Sequence, residues 1–213
     1  MTTTTTSPGA TAAAEKSPSF GRRLGNWAMD NGALVGLIAL IVILVIATPH
    51  FLSVDNLINV GVQAAAIAIL AFGMTFVIVT GGIDLSVGAV AALGGMVTAY
   101  SFSEMGLPGW LTLILGLLTG LACGAIAGAS ISYGKLPAFI ATLAMMSIAR
   151  GLTLVISEGS PQPSPDAVNW MGTDVGFLPM PIVMMLLAGL ICWFVLSRTV
   201  LGRSMYAIGG NIE

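Results

Sequence analysis

The sequence predicts an all-α, polytopic membrane helix bundle with six transmembrane helices and a cytoplasmic N-terminus. Three observations carry that prediction. Only 8% of the 213 residues are charged and 56% are hydrophobic, against roughly 25% charged in a soluble domain. The mean hydropathy is +0.98. The few charges fall between long apolar runs, and the basic ones gather on one set of loops.

Residues 31–54, 56–83, 85–103, 105–134 and 175–197 contain no Asp, Glu, Lys or Arg, and 136–157 is broken only by Arg150. A helix crosses a core of about 30 Å with about 20 mostly apolar residues. Lipid leaves a bare backbone unsatisfied, so each run is expected to be a helix. With the N-terminus cytoplasmic, Lys16, Arg22, Arg23, Lys135, Arg198 and Arg203 lie inside. The outer loops then hold Asp55, Glu104, Glu158, Asp166 and Asp174 and no basic residue, as the positive-inside rule requires of Lys and Arg. Tyr100 and Trp110 fall near outer span ends and Tyr133 and Trp193 near inner ends, as interface aromatics do.

Before the spans, residues 1–19 are rich in Thr, Ala, Ser and Pro and read as a disordered cytoplasmic leader. Residues 20–31 read as an interfacial segment, with Phe20, Leu24 and Trp27 at helical spacing beside Arg22 and Arg23. The long polar leader and the absence of an A-x-A site after Ile46 argue against a signal peptide. The transmembrane part is then 32–197, and 198–213 is a cytoplasmic segment.

Several function classes drop out. A net charge of −2 leaves no basic face for nucleic acid. One His, His50, and two Cys, Cys123 and Cys192, supply neither a zinc site nor a disulfide framework. No cofactor is expected. The nearest phosphate-loop match, Gly128–Leu136, has the wrong glycine spacing and Leu136 in place of the Ser/Thr that binds magnesium. An intramembrane enzyme ranks last, because His50 has no carboxylate partner and neither cysteine a nearby base.

Four features stand out within the apolar frame. Gly116, Gly120, Gly124 and Gly128 recur every fourth residue and share one helix face. Their first reading is close helix packing, and their second is a pore lining. Thr80-Gly81-Gly82-Ile83-Asp84-Leu85-Ser86 joins two spans, with glycines that permit a sharp turn. There Asp84 or Ser86 either caps the following helix or stands near a translocation path or partner surface. Arg150 lies 13 residues beyond Pro137, about 20 Å along the helix. It either faces the bundle interior or a partner or snorkels outward. The outer loop from Glu158 to Asp174 carries Pro161, Pro163, Pro165 and Trp170. It is either a connector or a surface that receives a partner.

These strings resemble a known family. TFVIVTGGIDLSVGAVAALGG (75–95) is similar to the signature of permease subunits of bacterial ABC-type monosaccharide importers of the ribose, xylose and galactose type. FLSVDNLINV (51–60), KLPAFIATLAMMSIARGLTLVIS (135–157) and LGRSMYAIGGN (201–211) match further family segments in order. The resemblance implies a non-catalytic, multi-pass subunit of the bacterial cell membrane. It would pair with a second permease copy to form the pathway, receive sugar from an extracytoplasmic binding protein, and be driven by a separate cytoplasmic ATP-binding subunit. The 158–174 loop becomes a contact for the binding protein. Arg198, Gly202, Arg203, Gly209, Gly210 and Asn211 become the ATPase-side segment, and Asp84 and Arg150 occupy family-type positions without an assigned role. Family members are longer and carry more spans, so the chain is expected to be C-terminally truncated or a fragment. The identity of the sugar cannot be read here. Two rival readings are a secondary transporter, with Asp84 as ion site and Arg150 as substrate anchor, and a truncated, non-transporting membrane protein. The first calls for inverted repeats, and none is found in the sequence.

Overall fold

The computed structural model describes residues 27, 29–163, 165, 168, 173–176 and 178–210. The leader 1–19, the side chains of Phe20, Arg22, Arg23 and Leu24, and Asp166, Trp170 and Asn211 lie outside the described residues. Two compact units are present, residues 1–53 and Val54–Glu213.

The first unit contains α1, Gly32–Ala47. It ends before Pro49, which drives Thr48 into extended backbone at φ −130 and ψ 106. The second unit holds α2 (Val54–Val79), α3 (Val87–Ser103), α4 (Gly109–Ser132), α5 (Ala138–Ser157), α6 (Met180–Arg198) and α7 (Val200–Gly210), with strands β1 (Asp174–Val175) and β2 (Leu178–Pro179). Pro108, Pro137 and Pro179 stand at the N-caps of α4, α5 and α6. There the missing N–H costs nothing and the fixed φ suits a helix start.

All six expected spans are helical, with two differences from the reading of the sequence. Among the described residues α2, α4, α5 and α6, of 26, 24, 20 and 19 residues, are long and apolar enough to cross a membrane. α1 and α3 have 16 and 17 residues and reach about 25 Å. Pro49 cuts the first short, and the Gly81–Ser86 turn delays the start of the second. The last span begins at Met180 rather than 175, because Asp174–Val175 and Leu178–Pro179 pair as an antiparallel hairpin, turned at Gly176 with φ +69. That turn and strand pair hold the backbone extended up to Pro179.

Within the second unit, α3 packs against both α4 and α5, while α2 packs against α6 and more lightly against α7. α2 and α3 touch little beyond the turn that joins them. The interior is built of small and hydroxyl side chains. Ala89, Leu93 and Ala149 form the buried cluster, with Val90, Val97, Cys123, Met146 and Ile156 around it. Thr98, Ser101, Thr112, Thr142 and Ser157 are also buried. Large apolar side chains point outward instead, Leu117 and Val155 being 75% and 74% exposed. Small contacts inside and bulky aliphatics outside is the pattern of helices that associate in lipid.

Candidate functional site

The Gly81–Ser86 turn is tied down by hydrogen bonds to α2, to α5 and within itself. Thr80 Oγ1 donates to Val77 O at 2.8 Å, and the amides of Gly81 and Gly82 bond Ile78 O and Val77 O at 2.9 and 3.0 Å. These bonds satisfy the last carbonyls of α2. Gly81 adopts φ +77, a region where a side chain is strained. Asp84 Oδ1 then accepts from both the amide and the hydroxyl of Ser86, each at 2.7 Å. The carboxylate therefore orders the entry into α3, and Ser86 is buried beneath it. From α5, the hydroxyl of Thr142 reaches Ile83 O at 3.3 Å. The sequence reading had overlooked Thr142; a hydroxyl inside a span, which tends to bond a neighbouring helix, was the signal available.

Two cavities meet at this turn. One, of about 490 Å³, runs between α3 and α4 and is lined by Asp84, Ser86, Gly95, Thr98, Gly120 and Gly124 among others. The second, of about 600 Å³, lies at the end of the bundle that carries the turn, and is lined by Gly81, Gly82, Asp84, Gly124, Gly128 and Ile208 among others. Asp84 and Gly124 border both. The lining is mainly aliphatic, with Asp84 the one ionisable side chain among the residues of either wall.

The glycine stripe of α4 divides accordingly. At Gly116 a Cβ would collide with Thr98 Oγ1 and stand 2.8 Å from Gly94 O, so α3 and α4 meet there backbone to backbone. Thr98 Oγ1 donates to Gly94 O at 2.9 Å and reaches Thr112 O at 3.2 Å, bridging the two helices. At Gly120, Gly124 and Gly128 a Cβ would meet nothing within 4 Å among the described residues. Within this chain the close approach is made at Gly116, which also borders the 490 Å³ cavity, whereas Gly120, Gly124 and Gly128 face open space.

Arg150 is not brought to this site. It is exposed on α5 beside the fully buried Ala149, and lines neither cavity. Eight residues separate it from Thr142, about 12 Å along the helix. At the far end of the bundle Ser103 Oγ donates to Gln162 Oε1 at 3.0 Å, tying α3 to the 158–174 loop.

The segment after α6 is helical. Thr199 Oγ1 donates to Val195 O at 2.6 Å and accepts from Gly202 N at 3.2 Å, closing α6 and capping α7 with one side chain. Gly202 is buried against the carbonyl of Leu196, Arg203 is exposed, and the Arg198 guanidinium lies 5.9 Å from the Trp193 ring centroid. Gly209 lies against the backbone of Val79, whereas Gly210 is open. Among the described residues no three His, Cys, Asp or Glu side chains cluster to hold a metal.

Residues 56–213 match the sequence model of the family described as branched-chain amino acid transport system / permease component. The chain is 40% identical over 195 residues to the ribose import permease protein of Haemophilus influenzae, covering 89% of this chain and 60% of that protein. It is 43% identical over 190 residues to the ribose import permease protein of Bacillus subtilis, covering 84% and 57%. With the D-allose transport system permease protein of Escherichia coli it shares 41% over 164 residues, covering 76% and 50%. No solved structure matches. The chain thus spans about 60% of the length of the first of these relatives. With a family match running from the second helix to the last residue, and apolar helices long enough to cross a membrane, the chain belongs to the branched-chain amino acid transport system / permease component family and is a multi-pass membrane protein.

Proposed function

We propose that this chain is the pathway-forming permease part of an ATP-driven monosaccharide importer of the bacterial cell membrane. The observation that carries the reading is identity of about 40% to ribose import permeases over nearly the whole chain. In this reading the chain crosses the membrane six times from a cytoplasmic N-terminus, and α1 and α3 reach the interfaces through their flanking residues. Sugar arrives from an extracytoplasmic binding protein at the 158–174 loop. A separate cytoplasmic ATP-binding subunit meets the segment from Arg198 to Asn211, and a second permease copy completes the path.

The chemistry assigned to the site is hydrogen bonding without catalysis. A monosaccharide passing beside Gly120, Gly124 and Gly128 needs room along α4 and an acceptor for its hydroxyls. Asp84 has one carboxylate oxygen engaged by Ser86, which leaves the other to accept from solute. Hydrogen bonds to a charged acceptor are the stronger kind. Gly81 and Gly82 keep the turn narrow beside it. Arg150 stands apart, as a contact for lipid or a neighbouring subunit.

A chimera tests this reading. Residues 54–210 of this chain replace the matching segment of the Escherichia coli ribose import permease, in a strain lacking that permease. Energy-dependent uptake of labelled ribose is the expected result. A chimera that reaches the membrane and carries leucine but no ribose would favour the amino-acid substrate in the family description. Uptake that survives ATP depletion and collapses with the ion gradient would favour a secondary transporter.

A further inference from the structure

Helix α7 comes closest to the end of α2, next to the cavity-bordering turn, at Gly209. A Cβ on Gly209 would collide with the carbonyl oxygen of Val79, and would stand 3.0 Å from Val79 C and 3.4 Å from Thr80 C. All three are backbone atoms, which cannot swing aside as a side chain can. The residue before, Ile208, forms part of the wall of the 600 Å³ cavity together with Ile83, Asp84 and Thr142. At the residue after, Gly210, a Cβ meets nothing within 4 Å. The turn itself is held on both sides: Thr80, Gly81 and Gly82 are bonded back to α2, and Ile83 O is bonded to Thr142 of α5. A displacement of Val79 and Thr80 is therefore passed to Gly81–Asp84. The other end of α7 is fixed to α6 at Thr199, whose hydroxyl bonds both helices, so only the C-terminal turn of α7 is held by the contact at Gly209.

We propose that Gly209 is a positioning residue through which α7 sets the opening of the cavity beneath Asp84. Lifting the C-terminal turn of α7 off Val79 moves Ile208 out of the cavity wall and releases the Gly81–Ser86 turn. Returning it closes the wall and presses the turn back. The proposal rests on the reading of that cavity as part of the solute path, but the contact itself is testable without transport.

The experiment uses the full chain in membrane vesicles, with Cys123 and Cys192 replaced by alanine and a reporter cysteine introduced by Ile83→Cys. A water-soluble maleimide reads exposure of the cavity wall. Gly209→Ala is expected to change the labelling rate several-fold, because the added methyl must push α7 off Val79. Gly210→Ala is the matched control and leaves the rate unchanged. Alanine favours helix over glycine at both positions, so loss of α7 itself is not the cause of a change. Ser132→Cys, on α4 in the same cavity, is a second reporter should Ile83→Cys disturb insertion. Met105→Cys, exposed at the other end of the bundle, must label equally in all variants. Equal rates in Gly209→Ala and the parent at both cavity reporters would overturn the proposal, as would an equal shift at Met105→Cys, which signals general loosening. A shift at the cavity reporters, with ribose uptake by the chimera indifferent to Asp84, would keep the lever and discard the path.

Discussion

Thr142 on α5 donates its hydroxyl to the carbonyl oxygen of Ile83 at 3.3 Å, although 59 residues separate the two in sequence. The same hydroxyl also reaches Ala138 O at 2.9 Å within its own helix, so the long-range bond is shared. It nonetheless ties the turn between α2 and α3 to the α3–α4–α5 group. Thr142→Val keeps the shape and removes the donor. The expected cost is about 0.6 kcal/mol, the average for hydrogen bonds between membrane helices, read as a small drop in thermal stability in detergent. Thr142→Ser retains the hydroxyl and should sit near the parent. A valine variant as stable as the serine one would remove the tie from the account of the turn.

Gly116 and Gly120 are one helical turn apart and should respond in opposite directions. At Gly116 the methyl of alanine meets Thr98 Oγ1 and the backbone of Gly94, and α3 and α4 must separate. Overpacking of that kind costs about 1–3 kcal/mol. At Gly120 the space is open, and alanine gains helix propensity of up to about 1 kcal/mol. Gly116→Ala should therefore lower the melting temperature while Gly120→Ala holds or raises it. If the chimera carries sugar past α4, a bulkier Gly120→Leu should lower uptake without unfolding the protein. Equal stability losses at both glycines would show that the stripe is buried along its length.

The helices were legible as long apolar runs between charges, whereas their ends follow local backbone chemistry: Pro49 and Pro108 fall inside the charge-free runs 31–54 and 105–134 and set the end of α1 and the start of α4. A helix start near Asp84 and Ser86 was likewise readable, but the carboxylate bonds Ser86 itself and not the first amides of α3. What stayed hidden depends on how helices lie against one another. Gly116 and Gly120 look alike in a periodic stripe, and only the path of α3 makes one a close contact and leaves the other open. Gly209 and Gly210 are also indistinguishable until α2 is placed beside one of them. The start of the last span was misplaced because the short strands at Asp174–Val175 and Leu178–Pro179 are too brief to leave a period.

Asp84→Asn separates the folding role of this residue from its role toward solute. Asparagine keeps an oxygen for the amide and hydroxyl of Ser86, so the turn should persist, whereas Asp84→Ala removes the acceptor of both bonds at a cost of about 1 kcal/mol each. Toward a sugar hydroxyl, loss of the charge weakens an acceptor whose bond is worth about 1.5–3 kcal/mol. Uptake by the chimera should thus fall about tenfold or more in Asp84→Asn at unchanged membrane abundance. Uptake equal to the parent in both variants would confine Asp84 to ordering the turn.

Arg150 is exposed on α5, between the exposed aliphatics Ile148 and Leu152. Among the described residues no hydrogen bond or ion pair is formed by it. Replacing it with leucine therefore breaks no contact within this chain and removes a charge from an otherwise apolar helix. Near a helix centre arginine disfavours insertion by about 2.5–3.5 kcal/mol and leucine favours it by about 0.3–0.6. The full effect applies at the centre, and Arg150 lies beyond it, so the gain for Arg150→Leu should be a fraction of their difference. A glycosylation-based insertion assay on α5 reads it directly, with a larger inserted fraction as the expected result. The same substitution in the assembled chimera then reports on the partner. If Arg150 meets an acidic group of a neighbouring subunit, Arg150→Leu should reduce assembly while insertion improves. If it reaches only lipid phosphate at the interface, assembly should remain intact.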